Sequence, residues 1–245
     1  FDTPVMLFQV CHPDLPRDFP PPRASAVEVH NLPASLSSFV GRERETAEVE
    51  ELLVVGRLVT VTGAGGCGKT RLALEVASRK LELFADGVWF VDLAPLSDPQ
   101  LVGQTVIHAL GAREEPGRPV FDTLEGFVAH RELLIVVDNC EHLIQACAVL
   151  VEHLLRAGSG VRILTTSRET LGLPGEQIWR VPSLSLPDQG ASPDVVMGSE
   201  SARLFLERAQ AVRADLVVSD EDVAALAEIV SRLDGIPLAL ELAAA

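Results

Sequence analysis

The sequence predicts an α/β fold: a five-stranded parallel sheet flanked by helices, followed by a small, incomplete all-α domain. Three observations carry that reading. Apolar, β-branched runs alternate with helical patterns between residues 42 and 181, and such alternation packs as a parallel sheet covered by helices. The run Leu133-Leu134-Ile135-Val136-Val137 has no polar interruption, as a central strand buried on both faces requires. Beyond Pro182 strand patterns stop and only amphipathic helices follow.

Taken in order, residues 1–35 read as the tail of a preceding domain plus a Pro-rich linker. Seven of the 16 prolines fall in the first 33 residues, fixing an extended path poor in hydrogen bonds. Ahead of most of them, Val5-Met6-Leu7-Phe8-Gln9-Val10 is a short strand with no visible partner. The α/β domain spans 36–181. It opens with a charged helix over 42–53, a strand over 58–62 and a helix over 70–83. A strand over 88–92 follows, then a helix opened by Ser97-Asp98-Pro99-Gln100, a start signal with Pro in the first turn. A short helix is expected from Asp122, with Glu125 closing a capping box. The central strand 133–137, a helix over 144–157 and strands over 161–166 and 177–181 complete the domain. Residues 182–198, rich in Ser, Pro, Gly and Asp, read as a linker. The helical domain, 199–245, begins with helices over 200–211 and 220–233, the second carrying the stripe Val223, Leu226, Ala227, Val230 and Leu233. Gly235-Ile236-Pro237 interrupts, and Pro237 starts a third helix that the end of the sequence cuts.

Composition narrows the function. A net charge of −15, from 35 acidic and 20 basic side chains, argues against this segment gripping nucleic acid or an anionic membrane. No apolar run reaches the ~18 residues of a transmembrane helix. Tyrosine is absent and aromatics are 4%, which disfavours a base-stacking surface. Cys11, Cys67, Cys140 and Cys147 form no disulfide framework, so a cytoplasmic setting is expected. Cys140, His142, Cys147 and His153 lack the paired spacing of zinc ligands, and Cys147 falls on an apolar helix face.

The strongest chemical signal is Gly63-Ala64-Gly65-Gly66-Cys67-Gly68-Lys69-Thr70, a complete G-x-x-x-x-G-K-[ST] between a strand and a helix. Glycines let successive N–H groups curl toward phosphate oxygens, and the helix N-terminus adds partial positive charge. Lys69 is placed to reach the β- and γ-phosphates, and the Thr70 hydroxyl to ligate Mg²⁺. Cys67 reads as a small residue that the loop tolerates or as a thiol whose oxidation would block phosphate binding. Asp138, ending the apolar strand, is the expected second Mg²⁺ residue; the bland alternative is a turn or N-cap Asp. Asn139 follows it, where many P-loop ATPases carry a water-polarising Glu. Glu141 is the nearest carboxylate, a weak catalytic candidate or a surface or capping residue. Arg168, after Thr165-Thr166-Ser167, is placed to sense the γ-phosphate; alternatively it pairs with Glu169 or Glu176.

These motifs in this order resemble the P-loop NTPase module of the STAND class (signal-transduction ATPases with numerous domains), specifically the NB-ARC/AP-ATPase-like regulators of actinobacteria. The resemblance covers about residues 31–245. It rests on Asn31-Leu32-Pro33 with Phe39-Val40-Gly41-Arg42-Glu43, on the phosphate loop with Arg71-Leu72-Ala73, on Val137-Asp138-Asn139-Cys140-Glu141-His142, on Leu164-Thr165-Thr166-Ser167-Arg168-Glu169 and on Gly235-Ile236-Pro237-Leu238-Ala239-Leu240. It implies a sheet ordered 5-1-4-3-2, adenine held by Val40 and Arg42 on one side and Pro237 on the other, and Arg71 among the nucleotide-binding residues. It further implies a switch closed with ADP and open with ATP, Mg²⁺-dependent and slow to hydrolyse, with an energy-coupling ATPase of real turnover as the rival. A nucleotide-dependent homo-oligomer is also expected. Residues 1–25 resemble the tail of a class III nucleotide cyclase domain. Partners are thus expected in the same polypeptide: a cyclase-like domain upstream, with sensor and LuxR-type DNA-binding domains downstream.

Overall fold

The computed structural model describes residues 30–34, 37–114, 117–188 and 190–245, without the side chains of Asp220 and Glu221. The strand expected at 5–10 and the cyclase-like tail lie outside the described residues. The strands are β1 (Leu58–Thr62), β2 (Val88–Asp92), β3 (Leu133–Asp138), β4 (Val161–Ser167) and β5 (Glu176–Arg180). They pair in the order β2-β3-β4-β1-β5, all parallel. This is the expected order, read from the opposite edge.

The central run divides its apolar side chains between the two faces, as period-two geometry dictates. Leu133, Ile135 and Val137 enter one core with helices α3 (Val102–Leu110), α4 (Val120–Val128) and α5 (Ile144–Ala157). Leu134 and Val136 enter the other with α1 (Glu43–Val55) and α2 (Lys69–Arg79). All five are fully buried, each stabilising the fold by about 2 kcal/mol. At the β2 edge the side chain of Asn31 substitutes for a strand: Phe90 N donates to its Oδ1 at 2.5 Å, and its Nδ2 donates to Phe90 O at 2.9 Å.

Two local expectations need correction. Helix α4 starts at Val120, with Pro119 before it and no side-chain cap, so Glu125 closes no capping box. The start goes with a tertiary contact: Val120 packs against Gly103 of α3, where a Cβ would lie 2.6 Å from Val120 Cγ1. Glu125 instead meets His153 Nδ1 at 2.5 Å. The segment read as a linker also contains helix α6 (Pro193–Gly198), which buries Val196.

Helices α7 (Glu200–Val212), α8 (Asp220–Arg232) and α9 (Pro237–Ala244) follow. Ser219 and Asp222 form a capping box at the start of α8. Leu184, Val196, Ala202, Leu204, Val230 and Leu240 share a third core, and Val40 packs against it from before α1. The segment after β5 is tied in as well, since Leu184 N donates to Gly235 O at 2.9 Å.

Candidate functional site

The C-terminal ends of β1, β3 and β4 gather the polar groups, because parallel strands deliver their ends to one rim of the sheet. The loop after β1 turns into α2, with Gly66 at φ 76° and Gly68 at φ 90°. Lys69 Nζ curls back over the loop and donates to Gly63 O at 3.0 Å and Ala64 O at 3.1 Å. Cys67 is buried, and its Sγ lies 2.8 Å from where a Cβ on Gly63 would stand. The thiol therefore behaves as a small packing group, not an exposed oxidation site.

Thr70 and Asp138 meet directly. Thr70 Oγ1 donates to Asp138 Oδ1 at 2.8 Å and is 3.0 Å from Oδ2. Thr166 Oγ1 also donates to Asp138 Oδ1. Asn139, in the left-handed region at φ 62° that its short amide tolerates, donates from Nδ2 to Asp138 Oδ2 at 2.8 Å. Its N–H donates to Thr166 Oγ1 at 3.0 Å. Asn139 thus orients the aspartate. Burial pushes the Asp138 carboxyl above its ordinary value, opposed by the Thr166 and Thr70 bonds and aided by Asp92 and Glu141.

A hydroxyl and a carboxylate at one point are the hard oxygen donors that suit Mg²⁺, which takes one or two protein ligands and completes its shell with phosphate and water. Thr70 and Asp138 fit that role. Cys140 and Cys147 are fully buried in the sheet core and are free thiols. His142 Nε2 meets Leu96 O at 2.8 Å, while His153 stacks on Phe121.

The turn Cys140–His142 carries Glu141 to Arg168, whose Nε is 3.2 Å from Glu141 Oε1. This corrects the expected partners. Glu176 accepts the N–H groups of Leu171 and Gly172, each at 2.8 Å, and Glu141 takes Arg168. The other oxygen, Glu141 Oε2, is buried without a hydrogen bond. Arg168 Nη2 lies 3.5 Å from the Cβ position of Gly65, so the ion pair stands over the phosphate loop.

The opposite wall comes from residues 37–42 and the helices after β5. Arg42 is 3% exposed, and burial lowers its pKa. Its Nη2 donates to Cys67 O at 2.7 Å and to Pro182 O at 3.0 Å. Arg71 spends its guanidinium on the same stretch, donating to Ser37 Oγ at 2.6 Å, Ser37 O at 2.8 Å and Ser38 O at 2.6 Å. Arg208 of α7 donates to Ser38 O at 3.2 Å and to Glu241 Oε1 at 3.0 Å. A narrow cavity of about 40 Å³ remains, with Val40, Arg42, Arg71, Arg208 and Pro237 in its lining. Helix α9 sits on the loop itself: Leu238 N donates to Gly66 O at 3.2 Å. The Pro237 ring lies 3.8 Å from the Cβ position of Gly68.

The structure therefore brings Gly63 through Thr70, Asp138, Glu141 and Arg168 to one rim, with Val40, Arg42, Arg71 and Pro237 facing them. Sequence reasoning missed Thr166 on Asp138, Leu238 on Gly66, and Glu200 and Arg208 on the 37–42 stretch. Thr166 and Leu238 lay within recognised motifs; Glu200 and Arg208 carried no local signal.

A phosphate loop between β1 and α2, with an acid ending β3 two strands away across β4, defines a P-loop NTPase fold. Comparison with known proteins agrees: residues 55–169 match the AAA domain family, and the chain carries a P-loop module of that kind. The chain is 47% identical over 194 residues to a putative HTH-type transcriptional regulator of Mycobacterium tuberculosis, covering 79% of this chain and 20% of that protein. It is 43% identical over 216 residues to an uncharacterized protein of the same organism, covering 88% and 52%. It is also 30% identical over 235 residues to the regulatory protein AfsR of Streptomyces coelicolor, covering 87% and 21%. The chain thus spans about half the length of one of these relatives and about a fifth of the other two. Among solved structures, a STAND protein with a tetratricopeptide repeat sensor from Pyrococcus horikoshii superposes with a TM-score of 0.51 at 17% identity, covering 85% of this chain and 30% of that one. A Walker-type ATPase of Pyrococcus abyssi gives 0.54 at 18%, covering 84% and 67%. The resemblance to the P-loop ATPase modules of regulator proteins is borne out.

Proposed function

We propose that this chain is the ATP/ADP-binding switch module of a multidomain signalling or transcriptional regulator, Mg²⁺-dependent and slow to hydrolyse. The observation that carries this reading is the seat of α9 on the phosphate loop, where Leu238 N donates to Gly66 O. A helix that touches the phosphate-binding backbone couples phosphate occupancy to the position of everything attached to it. The cavity beside it, about 40 Å³, has room for a few waters, so a base enters only when residues 37–42 part from the helices. Opening and closing are therefore built into binding.

Lys69 and the loop amides would hold the β- and γ-phosphates, and Thr70 and Asp138 would hold Mg²⁺, which neutralises phosphate charge when bound. Arg168 stands where a γ-phosphate would compete with Glu141 for its guanidinium. Asn139 is committed to Asp138 and Thr166 and cannot activate water, which supports slow turnover. The regulator setting follows the named relatives. With a net charge of −15, DNA contact would fall to another part of the polypeptide. Among the described residues no helix is long and apolar enough to cross a membrane, and the cytoplasm is the proposed location.

Calorimetric titration with ADP and Mg-ATP, alongside single-turnover hydrolysis, tests the reading. Lys69→Ala should weaken binding of both at least about a hundredfold, through loss of charge-assisted bonds. Unchanged affinity in that variant sinks the proposal. Turnover above about 1 s⁻¹ in the wild type would make the module an energy-coupling ATPase instead.

A further inference from the structure

Residues 37–42 form a strap along one side of the narrow cavity, and Glu200, which the phosphate chemistry does not use, fastens it. Glu200 lies in the first turn of α7. Its Oε1 accepts the N–H of Arg42 at 2.6 Å, and its Oε2 accepts the N–H of Ser185 at 2.9 Å. The grip is reciprocal: Glu200 N donates to Ser185 Oγ at 3.1 Å, and Ser201 Oγ donates to Ser185 O at 2.7 Å. One carboxylate therefore joins three separate stretches of chain. A Cβ on Gly41 would run into the Glu200 carboxylate, and the φ of 66° at that position favours glycine. Burial works to raise the Glu200 carboxyl, yet the bonds from Ser185 and Arg42 hold it below its ordinary value.

The link does not end at the strap. Arg42, whose N–H Glu200 holds, sends its guanidinium to Cys67 O in the phosphate loop and to Pro182 O. Helix α7, the strap and the loop backbone are thus connected through one residue. With about 40 Å³ free in the cavity, admitting a base there would require the strap to part from the helices. Further bonds across that seam include Arg208 to Ser38 O, from a guanidinium that also meets Glu207 and Glu241, and Ser38 to Glu207.

We propose that Glu200 is the latch of the base cavity, a positioning residue that holds strap and helices together and so sets the rate at which nucleotide is exchanged. This rests on the reading of the site as an ADP/ATP site.

The test is release of a fluorescent ADP analogue from the full chain, chased with excess unlabelled ADP, in wild type, Glu200→Ala and Glu200→Gln. Release should be about tenfold faster in Glu200→Ala, as expected for loss of charged hydrogen bonds across the seam. Glu200→Gln, which keeps an acceptor oxygen but no charge, should fall between. A purely architectural role would lower the melting temperature of the nucleotide-free protein and leave release within about twofold of wild type; that result overturns the latch. Should Glu200→Ala fail to fold, the Gln variant alone decides by the same criterion. Wild type that binds no ADP would overturn the underlying reading instead, so the two failures are distinguishable.

Discussion

The two walls of the site are built by different physics. On the sheet side, Lys69, Thr70, Asp138, Thr166 and Arg168 sit at the ends of elements whose register is fixed by backbone pairing and a fully buried core. On the other side, Arg42, Glu200, Arg208 and Leu238 meet irregular backbone through a few polar bonds, as at Cys67 O, Ser38 O and Gly66 O. Shifting the first wall means breaking a close-packed interior, which resists small displacements. Parting the second exchanges individual hydrogen bonds for water, each about 1 kcal/mol net, and uncovers the partly buried contact of Val40 with the third core. The lesson is a division of labour in the proposed switch: phosphate chemistry would be mounted on the rigid half, and regulation would fall to the half held by separable contacts.

The largest expected effect comes from cutting the tie between the walls. Arg42→Ala leaves the buried carbonyl of Cys67 without its donor and removes the part-buried bond to Pro182 O, and should cost about 2–3 kcal/mol of stability in urea denaturation. A loss below about 0.5 kcal/mol would mean that the walls are not joined there. Next is Gly66→Ala. Its Cβ would stand 2.8 Å from Leu238 Cβ at a φ of 76°, a cost of about 1–2 kcal/mol. Hydrogen exchange should speed up in α9 and stay unchanged in β3; equal loosening of both would break the contrast between the walls.

The smallest effect concerns the rigid side alone. Burial raises the Asp138 carboxyl, so the native state holds that proton more tightly than the unfolded chain. Its contribution to stability therefore declines as pH rises from the ordinary carboxylate range through the raised native value, and the full cost is present at neutral pH. Asp138→Asn removes it. The nucleotide-free variant should melt about 2 °C above wild type at neutral pH, converge with it in acid, and lose the Mg²⁺-dependent part of nucleotide stabilisation. A lower melting temperature at neutral pH would show that Asp138 is not strained by its burial.

Much of this was legible beforehand, for reasons visible in particular residues. The uninterrupted run 133–137 could only be a strand covered on both sides, and the phosphate loop announced its own strand and helix. Asp98 and Pro99 marked a helix start that the structure keeps. The start of α4 was misplaced because Asp122 and Glu125 form a valid local cap, while the contact of Val120 with α3 is tertiary. Glu141 and Arg168 were both singled out, but their pairing was not, since nothing local distinguished Glu141 from Glu169 or Glu176.

By itself the sequence determined the parallel sheet, the loop that would take phosphate, and the acid and hydroxyl that would take Mg²⁺. These depend on local backbone geometry and on periodic burial, which are written in neighbouring residues. Only the tertiary structure decided what closes the site. Glu200 meets the N–H of Arg42 across 158 positions, and Arg208 meets Ser38 O across 170. A backbone amide or carbonyl looks the same at every residue, so no motif could name these partners until folding brought them together.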